Sequence, residues 1–290
     1  MLLRIISIVF PIFIIVLAGF LYGRKHRPEM MAANKLNMEV FLPALIFTAL
    51  AGKSFELADN IPSILGALVI VFGSGLIAWP IVRLLGYDTK TLIPPIMFNN
   101  VGNMGLPLML LTFGEQALGA AIVLMLIVTL LQFALSPWLI KGGSPLTTVL
   151  KEPFIIAAAL GVTVSLTGFA VWPPIMTACK IVGDISLGLM IFSLGVRLSS
   201  AKLNAWGIGL TGAILTPITG MIMAWLFCEF VDIPRADQDI LFVFGALPPA
   251  VSNFIFAERY KQEPDKVASI VAMGNAMAIV FVPIALALRL

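Results

Sequence analysis

Apolar residues in this chain come in long unbroken runs, without the 3.6- or two-residue spacing of elements that keep one face in water, and short polar or basic links separate the runs. Ten runs are long enough to be spans: residues 5–22, 34–51, 61–84, 91–113, 116–140, 153–171, 175–197, 204–230, 238–257 and 266–288. A helix rising about 1.5 Å per residue needs about 20 apolar residues to cross a hydrocarbon core about 30 Å thick. The pattern predicts an all-α membrane protein of ten transmembrane helices. Only residues 141–152, KGGSPLTTVLKE, read as a linker, on their Gly-Gly-Ser-Pro run.

The fourth run contradicts itself. TLIPPIMFNNVGNMGLPLMLLTFG, residues 91–114, is apolar enough for a bilayer, yet NNVGNMGLP at 99–107 holds three amides, two glycines and a proline. Pro107 removes a backbone donor and crowds the preceding turn, while Gly102 and Gly105 each weaken a helix by about 1 kcal/mol against alanine. The helix is expected to break there. A second break is expected in the ninth run at ALPPAVSN, residues 246–253, around Pro248 and Pro249. Broken backbone persists at membrane depth only where protein buries it or a water-filled cavity reaches it. Two interrupted segments in corresponding positions of two halves point to a midplane binding site.

Composition agrees with a membrane protein: 60% of the 290 residues are hydrophobic and 11% charged, with a mean hydropathy of +1.05. The net charge of +3 invites an acidic partner such as nucleic acid, but the placement of the basic residues explains it better. With both termini outside, thirteen of the eighteen Lys and Arg residues fall in inner links and five in outer ones. Residues 5–22 lead into Arg24, Lys25, His26 and Arg27 and show no cleavage site, so they read as a retained first span. His26 is then a topology residue. Cys179 and Cys228 stand alone in apolar surroundings and read as small buried residues, and no residue set suggests a metal site or cofactor.

An offset of 145 residues, half the chain, aligns ANKLNMEVFLPALIF at 33–47 with ACKIVGDISLGLMIF at 178–192 without a gap. Lys35 meets Lys180 and Glu39 meets Asp184, which carries more weight than the apolar matches. Residues 1–140 and 153–290 therefore read as two repeats of five spans, and the odd number forces the second to be inverted. Two inverted repeats, each with a broken fourth helix, form a transporter architecture.

At the two breaks the sequence resembles the auxin efflux carrier family, which includes the plant PIN carriers and many bacterial proteins. The first match is Asn100 followed by Met104, Gly105 and Pro107; the second is Ala246, Leu247, Pro248, Phe254, Phe256, Ala257 and Tyr260. The resemblance implies a bile-acid-symporter-like (NhaA-like) fold whose helices 4 and 9 cross at their breaks. It implies a scaffold from 1–52 and 153–200, a transport domain from 61–140 and 204–290, and elevator-type movement of a small organic anion across a bacterial inner membrane. A homodimer through the scaffold comes with it. Asn99 and Asn253 stand where PIN carriers have prolines, the long cytoplasmic loop is reduced to 141–152, and between Ile61 and Leu84 only Arg83 is charged. These departures argue against indole-acetate as the native substrate.

No Lys, Arg or His lies within 91–114, and no charged residue within 246–257. An anion held there would rely on half-helix N-termini and amide donors. Asn100 is the first candidate, because the family's matched Asn contacts the substrate carboxylate; Asn99, Asn103, Ser252 and Asn253 complete a neutral cradle shaped by Pro107, Pro248 and Pro249. The competing reading is that the amides only satisfy backbone groups freed by the prolines. Without a fixed cation the cradle suits one carboxylate better than two. Glu39 and Asp184, with Asn275, are candidates for coupling Na⁺ or H⁺, against the alternative that the two acids pair with Lys35 and Lys180 one turn earlier. A Na⁺-coupled symporter of the bile-acid type is a further reading. An aspartyl intramembrane protease using Asp184 fits poorly, since Ile181 occupies the first glycine position of G-x-G-D.

Overall fold

Each apolar run becomes a helix because a chain in lipid has no other local way to satisfy its backbone N–H and C=O groups. The computed structural model describes residues 2–52, 60–141, 151–200 and 204–289, and every element among them is helical. Six helices are long and apolar enough to cross a membrane in one piece: α1 (Leu2–His26), α4 (Ile61–Leu84), α7 (Leu118–Lys141), α9 (Pro173–Ser199), α10 (Trp206–Phe230) and α13 (Pro264–Arg289). The sixth run gives a shorter helix, α8 (Pro153–Thr167), which Gly168 ends in a left-handed turn at φ 65°. Most of the 141–152 linker lies outside the described residues.

The remaining runs are composite. The second consists of α2 (Met31–Leu36), a π-turn over Asn37–Phe41 and α3 (Leu42–Leu50). The fourth consists of α5 (Thr89–Met97), a non-helical step, a π-turn over Val101–Gly105 and α6 (Leu106–Phe113). The ninth consists of α11 (Arg235–Gly245), a six-residue interruption and α12 (Ser252–Tyr260).

Packing groups the helices. Helix α1 lies along α9, and α3 packs on α8 and α9. Elsewhere α10 lies against α13, α4 and α11, while α4 also meets α5 and α7. Two backbones approach very closely where α10 passes the end of α11: a Cβ on Gly220 would sit 2.1 Å from the Gly245 carbonyl oxygen. Without a hydrophobic driving force between helices in lipid, such small-residue contacts are how membrane helices gain packing. All five tryptophans are exposed, and Trp79, Trp138, Trp172, Trp206 and Trp225 all lie near helix ends, where amphipathic rings meet the membrane–water interface.

Candidate functional site

The interruption in the fourth segment falls at Phe98–Asn100, at the start of the 99–107 motif and one residue ahead of it. Phe98 is extended, at φ −108° and ψ 98°, and Asn100 sits at φ −84° and ψ 63°. Pro107 does not break the helix: it occupies the second position of α6, and the π-turn ahead of it, in which the Leu106 N–H donates to the Val101 carbonyl, absorbs its missing donor. The second interruption spans 246–251, as the sequence predicts.

The two interruptions lie against each other. Asn99 and Pro249 form an antiparallel bridge. The Asn100 N–H donates to the Pro248 carbonyl at 2.7 Å, and the Ala250 N–H donates to the Phe98 carbonyl at 2.9 Å. Each interruption thus supplies partners for backbone groups that the other leaves free, in a place where an orphaned group would cost several kcal/mol, or about 1–3 kcal/mol in water-accessible protein.

Side-chain amides finish the work. Asn99 Nδ2 donates to the Phe244 carbonyl at 2.7 Å. Asn253 Nδ2 donates to the carbonyls of Phe98 and Ala250, both at 2.9 Å. Asn275, from α13, donates through Nδ2 to Pro249 and Val271 carbonyls at 3.0 and 2.8 Å, and its Oδ1 accepts from Asn100 Nδ2 at 2.8 Å. All four amide side chains are buried. Much of the cluster is therefore spent on backbone. What it leaves over is specific. Asn99 Oδ1 is buried with no partner among the described residues. Asn103 is half-buried, and its side chain makes no hydrogen bond among the described residues. The N–H groups of Gly102 and Asn103, at the start of the π-turn, have no backbone acceptor among the described residues.

Gln132, from α7, is a buried participant absent from the sequence reading. Its Nε2 donates to Asn253 Oδ1 at 2.9 Å, and its Oε1 accepts from Ser252 Oγ at 2.6 Å. It is the one amide between Leu118 and Ile140, and a lone amide in so apolar a helix was the signal that a partner lies across from it.

The other ionisable candidates lie elsewhere. Glu39 stands 3.9 Å from Lys35 and Asp184 3.6 Å from Lys180, each pair one turn apart and about half-exposed. Lys180 also meets Glu115 at 3.2 Å, tying α9 to the turn before α7. Among the described residues neither acid bonds to a group at the interruptions. Cys179 and Cys228 are half-buried rather than buried.

A polar tie closes one end of the broken segments. Thr91, in α5, donates through Oγ1 to Glu263 Oε2 at 2.6 Å, and Gln262 Nε2 donates to both Thr91 Oγ1 and Asp88 Oδ2 at 2.9 Å. The Glu263 carboxyl is held below the usual range, first by the hydrogen bond from the Lys266 ammonium, then by the Thr91 hydroxyl, with burial opposing. Two cavities lie among the helices. One of about 430 Å³ has Arg4, Thr112, Glu115, Gln116 and Asp237 on its wall and does not reach Asn99, Asn100, Asn253 or Asn275. The other, about 610 Å³ and apolar, runs between α1 and α13 and reaches Asn275.

Comparison with known proteins fits this architecture. The sequence profile of a family described as "Membrane transport protein" matches twice, over residues 4–142 and 137–286. The uncharacterized transporter MJ1031 of Methanocaldococcus jannaschii is 24% identical over 299 residues, covering 95% of this chain and 96% of its own length. The uncharacterized transporter YfdV of Escherichia coli is 24% identical over 292 residues, 86% of each chain. The family and these relatives are membrane transporters, not enzymes, which removes the protease reading of Asp184. With matches in both halves that together cover nearly the whole chain, this protein belongs to the membrane transport protein family of the auxin efflux carriers.

Proposed function

We propose that this chain is a secondary carrier that moves a small organic anion, a monocarboxylate by preference, through elevator-type alternating access at a crossover of its fourth and ninth segments. Ten spans in two inverted repeats, with both termini outside an inner membrane, make up the carrier. Residues 1–52 and 153–200 form its scaffold, which pairs with a second copy, and 61–140 with 204–290 form the transport domain. The observation that carries the reading is the mutual seating of the two interruptions through Asn99, Asn100, Pro248 and Pro249. Among the site residues the reading gives direct contact to the groups with spare capacity: the Gly102 and Asn103 N–H donors, the Asn103 side chain and the second amide hydrogen of Asn100. Pro107, Ser252 and Asn253 shape the cradle. The dipole of the half-helix beginning at Val101 favours negative charge there by about 0.3–2 kcal/mol.

The test is a thermal-shift screen of carboxylates on the purified protein. A ligand stabilises by RT ln(1 + [L]/Kd), so a substrate at 100 times its Kd contributes about 2.7 kcal/mol. It should raise the melting temperature of wild type and raise that of Asn100→Ala and Asn103→Ala much less. Equal shifts in all three would refute the assignment.

A second reading has one observation in its favour. Asn99 Oδ1 is a buried acceptor with no donor among the described residues, which suits a coupling cation; Asn275, whose Oδ1 already accepts from Asn100, would have to give up that bond to join it. Glu39 and Asp184 are weaker coupling candidates, each being held in a local ion pair. Anion uptake into vesicles that proceeds equally with Na⁺ replaced by K⁺ would eliminate Na⁺ symport.

A further inference from the structure

We propose that the groove between α1 and α13 seats an anionic glycerophospholipid, its phosphate at Arg24 and an acyl chain along the groove. One wall is the α1 face of Phe10, Phe13, Leu17 and Phe20, and the other carries Met273 and Met277 of α13. Asn275 is the polar exception, and both ends of its amide already bond within the protein. What lies in the groove is therefore hydrocarbon.

The face does not end in hydrocarbon. Arg24 follows Leu17 by seven residues and Phe20 by four, so it continues the same stripe of α1. It is exposed and forms no ion pair among the described residues. Lys25, His26 and Arg27 follow it directly.

The dimensions match one leaflet. Ten residues from Phe10 to Phe20 rise about 15 Å, half of a hydrocarbon core about 30 Å thick. Arg24 stands about 6 Å further on, at the depth of the headgroup layer. Trp206, the first residue of α10, lines the groove and is exposed, as suits an anchor at that level. A basic residue beside an anionic membrane surface contributes about fivefold in binding, and basic pockets between membrane helices hold acidic headgroups. Binding does not depend on the carrier reading. If that reading holds, the lipid occupies the boundary between the scaffold helix α1 and the transport-domain helix α13.

The experiment incubates the full-length protein in mixed micelles with equal phosphatidylglycerol and phosphatidylcholine and counts retained lipids by native mass spectrometry. Wild type should retain phosphatidylglycerol over phosphatidylcholine. Arg24→Gln should lower phosphatidylglycerol retention about fivefold and leave phosphatidylcholine unchanged, and Leu17→Trp, which fills the groove, should lower both. Melting curves without added lipid check that both variants fold. As an independent readout with Arg24 and Leu17 intact, phosphatidylglycerol with brominated acyl chains should quench fluorescence in wild type and lose that component in Trp206→Phe. Undiminished phosphatidylglycerol preference in Arg24→Gln, or an unchanged bromolipid signal in Trp206→Phe, overturns the proposal. So does retention of a second protein copy at the groove in place of lipid.

Discussion

Adding one methyl group where α10 passes α11 should loosen the meeting of the two interruptions. A Cβ on Gly245 would lie 2.5 Å from the Gly220 carbonyl oxygen and 2.6 Å from its carbon, and a Cβ on Gly220 would lie 2.1 Å from the Gly245 oxygen. These neighbours are backbone, so no side chain can rotate away. The helices must separate by about 1 Å to reach ordinary carbon–oxygen contact. Phe244 precedes Gly245, and its carbonyl accepts from Asn99 Nδ2 at 2.7 Å. A shift of that size stretches the bond past the useful range. Overpacking costs about 1–3 kcal/mol and an orphaned buried amide about 1–3 kcal/mol more, together about 2–6 kcal/mol. The assay is thermal unfolding of detergent-purified Gly220→Ala and Gly245→Ala. The control is Gly188→Ala in α9, where an added Cβ meets nothing within 4 Å. There the exchange should be neutral or stabilising by up to about 1 kcal/mol. If Gly220→Ala and Gly245→Ala melt with the control, the close approach does not hold the interruptions together.

Gln132→Leu should lower the melting temperature by an amount equivalent to about 1–3 kcal/mol, because it leaves Asn253 Oδ1 and Ser252 Oγ without partners; restoration by Gln132→Asn would contradict the geometry, since the shorter side chain cannot span both. Glu263 has a lowered carboxyl pKa in the folded protein, so its contribution is present above the ordinary glutamate value near 4.3 and is lost as pH falls through the lower folded value. Wild type should therefore melt above Glu263→Gln at neutral pH and converge with it in strong acid, a modest effect in a partly exposed group; parallel melting curves from pH 7 to pH 3 would count against the tie. Glu39→Gln and Asp184→Asn should each keep most transport in proteoliposomes, because the acids sit in half-exposed local ion pairs; abolished transport with normal folding would make them coupling groups.

All ten apolar runs contain helices within a few residues of the expected bounds, because helix is the one local way for such a run to satisfy its own backbone in lipid. Both interruptions were legible in position: the ninth segment breaks over 246–251, within ALPPAVSN, and the fourth at Phe98–Asn100, where NNVGNMGLP begins. What the motif did not show is that its glycines and Pro107 continue as a π-turn and helix. The role of the amides was half legible. Their presence at membrane depth pointed to a common purpose, but whether Asn253 faces a ligand or the Phe98 carbonyl depends on a segment 155 residues away. Gln132 was missed for the same reason, since its partners come from α12, which pattern along α7 does not reveal.

The prolines show why local rules stop short here. Pro11, Pro80, Pro137, Pro217 and Pro283 each lie inside a helix that continues through them. In lipid, neighbouring helices and small adjustments satisfy the carbonyl that a proline strands, so proline alone does not stop a span. Pro43 and Pro107 both follow a leucine that closes a five-residue π-turn, the Leu42 N–H bonding to Asn37 and the Leu106 N–H to Val101. The helix widens and goes on. The true interruption at Phe98 persists for another reason: its carbonyl receives two donors, the Ala250 N–H and Asn253 Nδ2, from the other interruption. In return Asn100 gives its N–H to Pro248. Either interruption alone would strand buried backbone groups at several kcal/mol in an apolar medium. Neither break is thus a property of its own segment; each is stable because the other is there, and that mutual dependence keeps the polar nest at a fixed geometry.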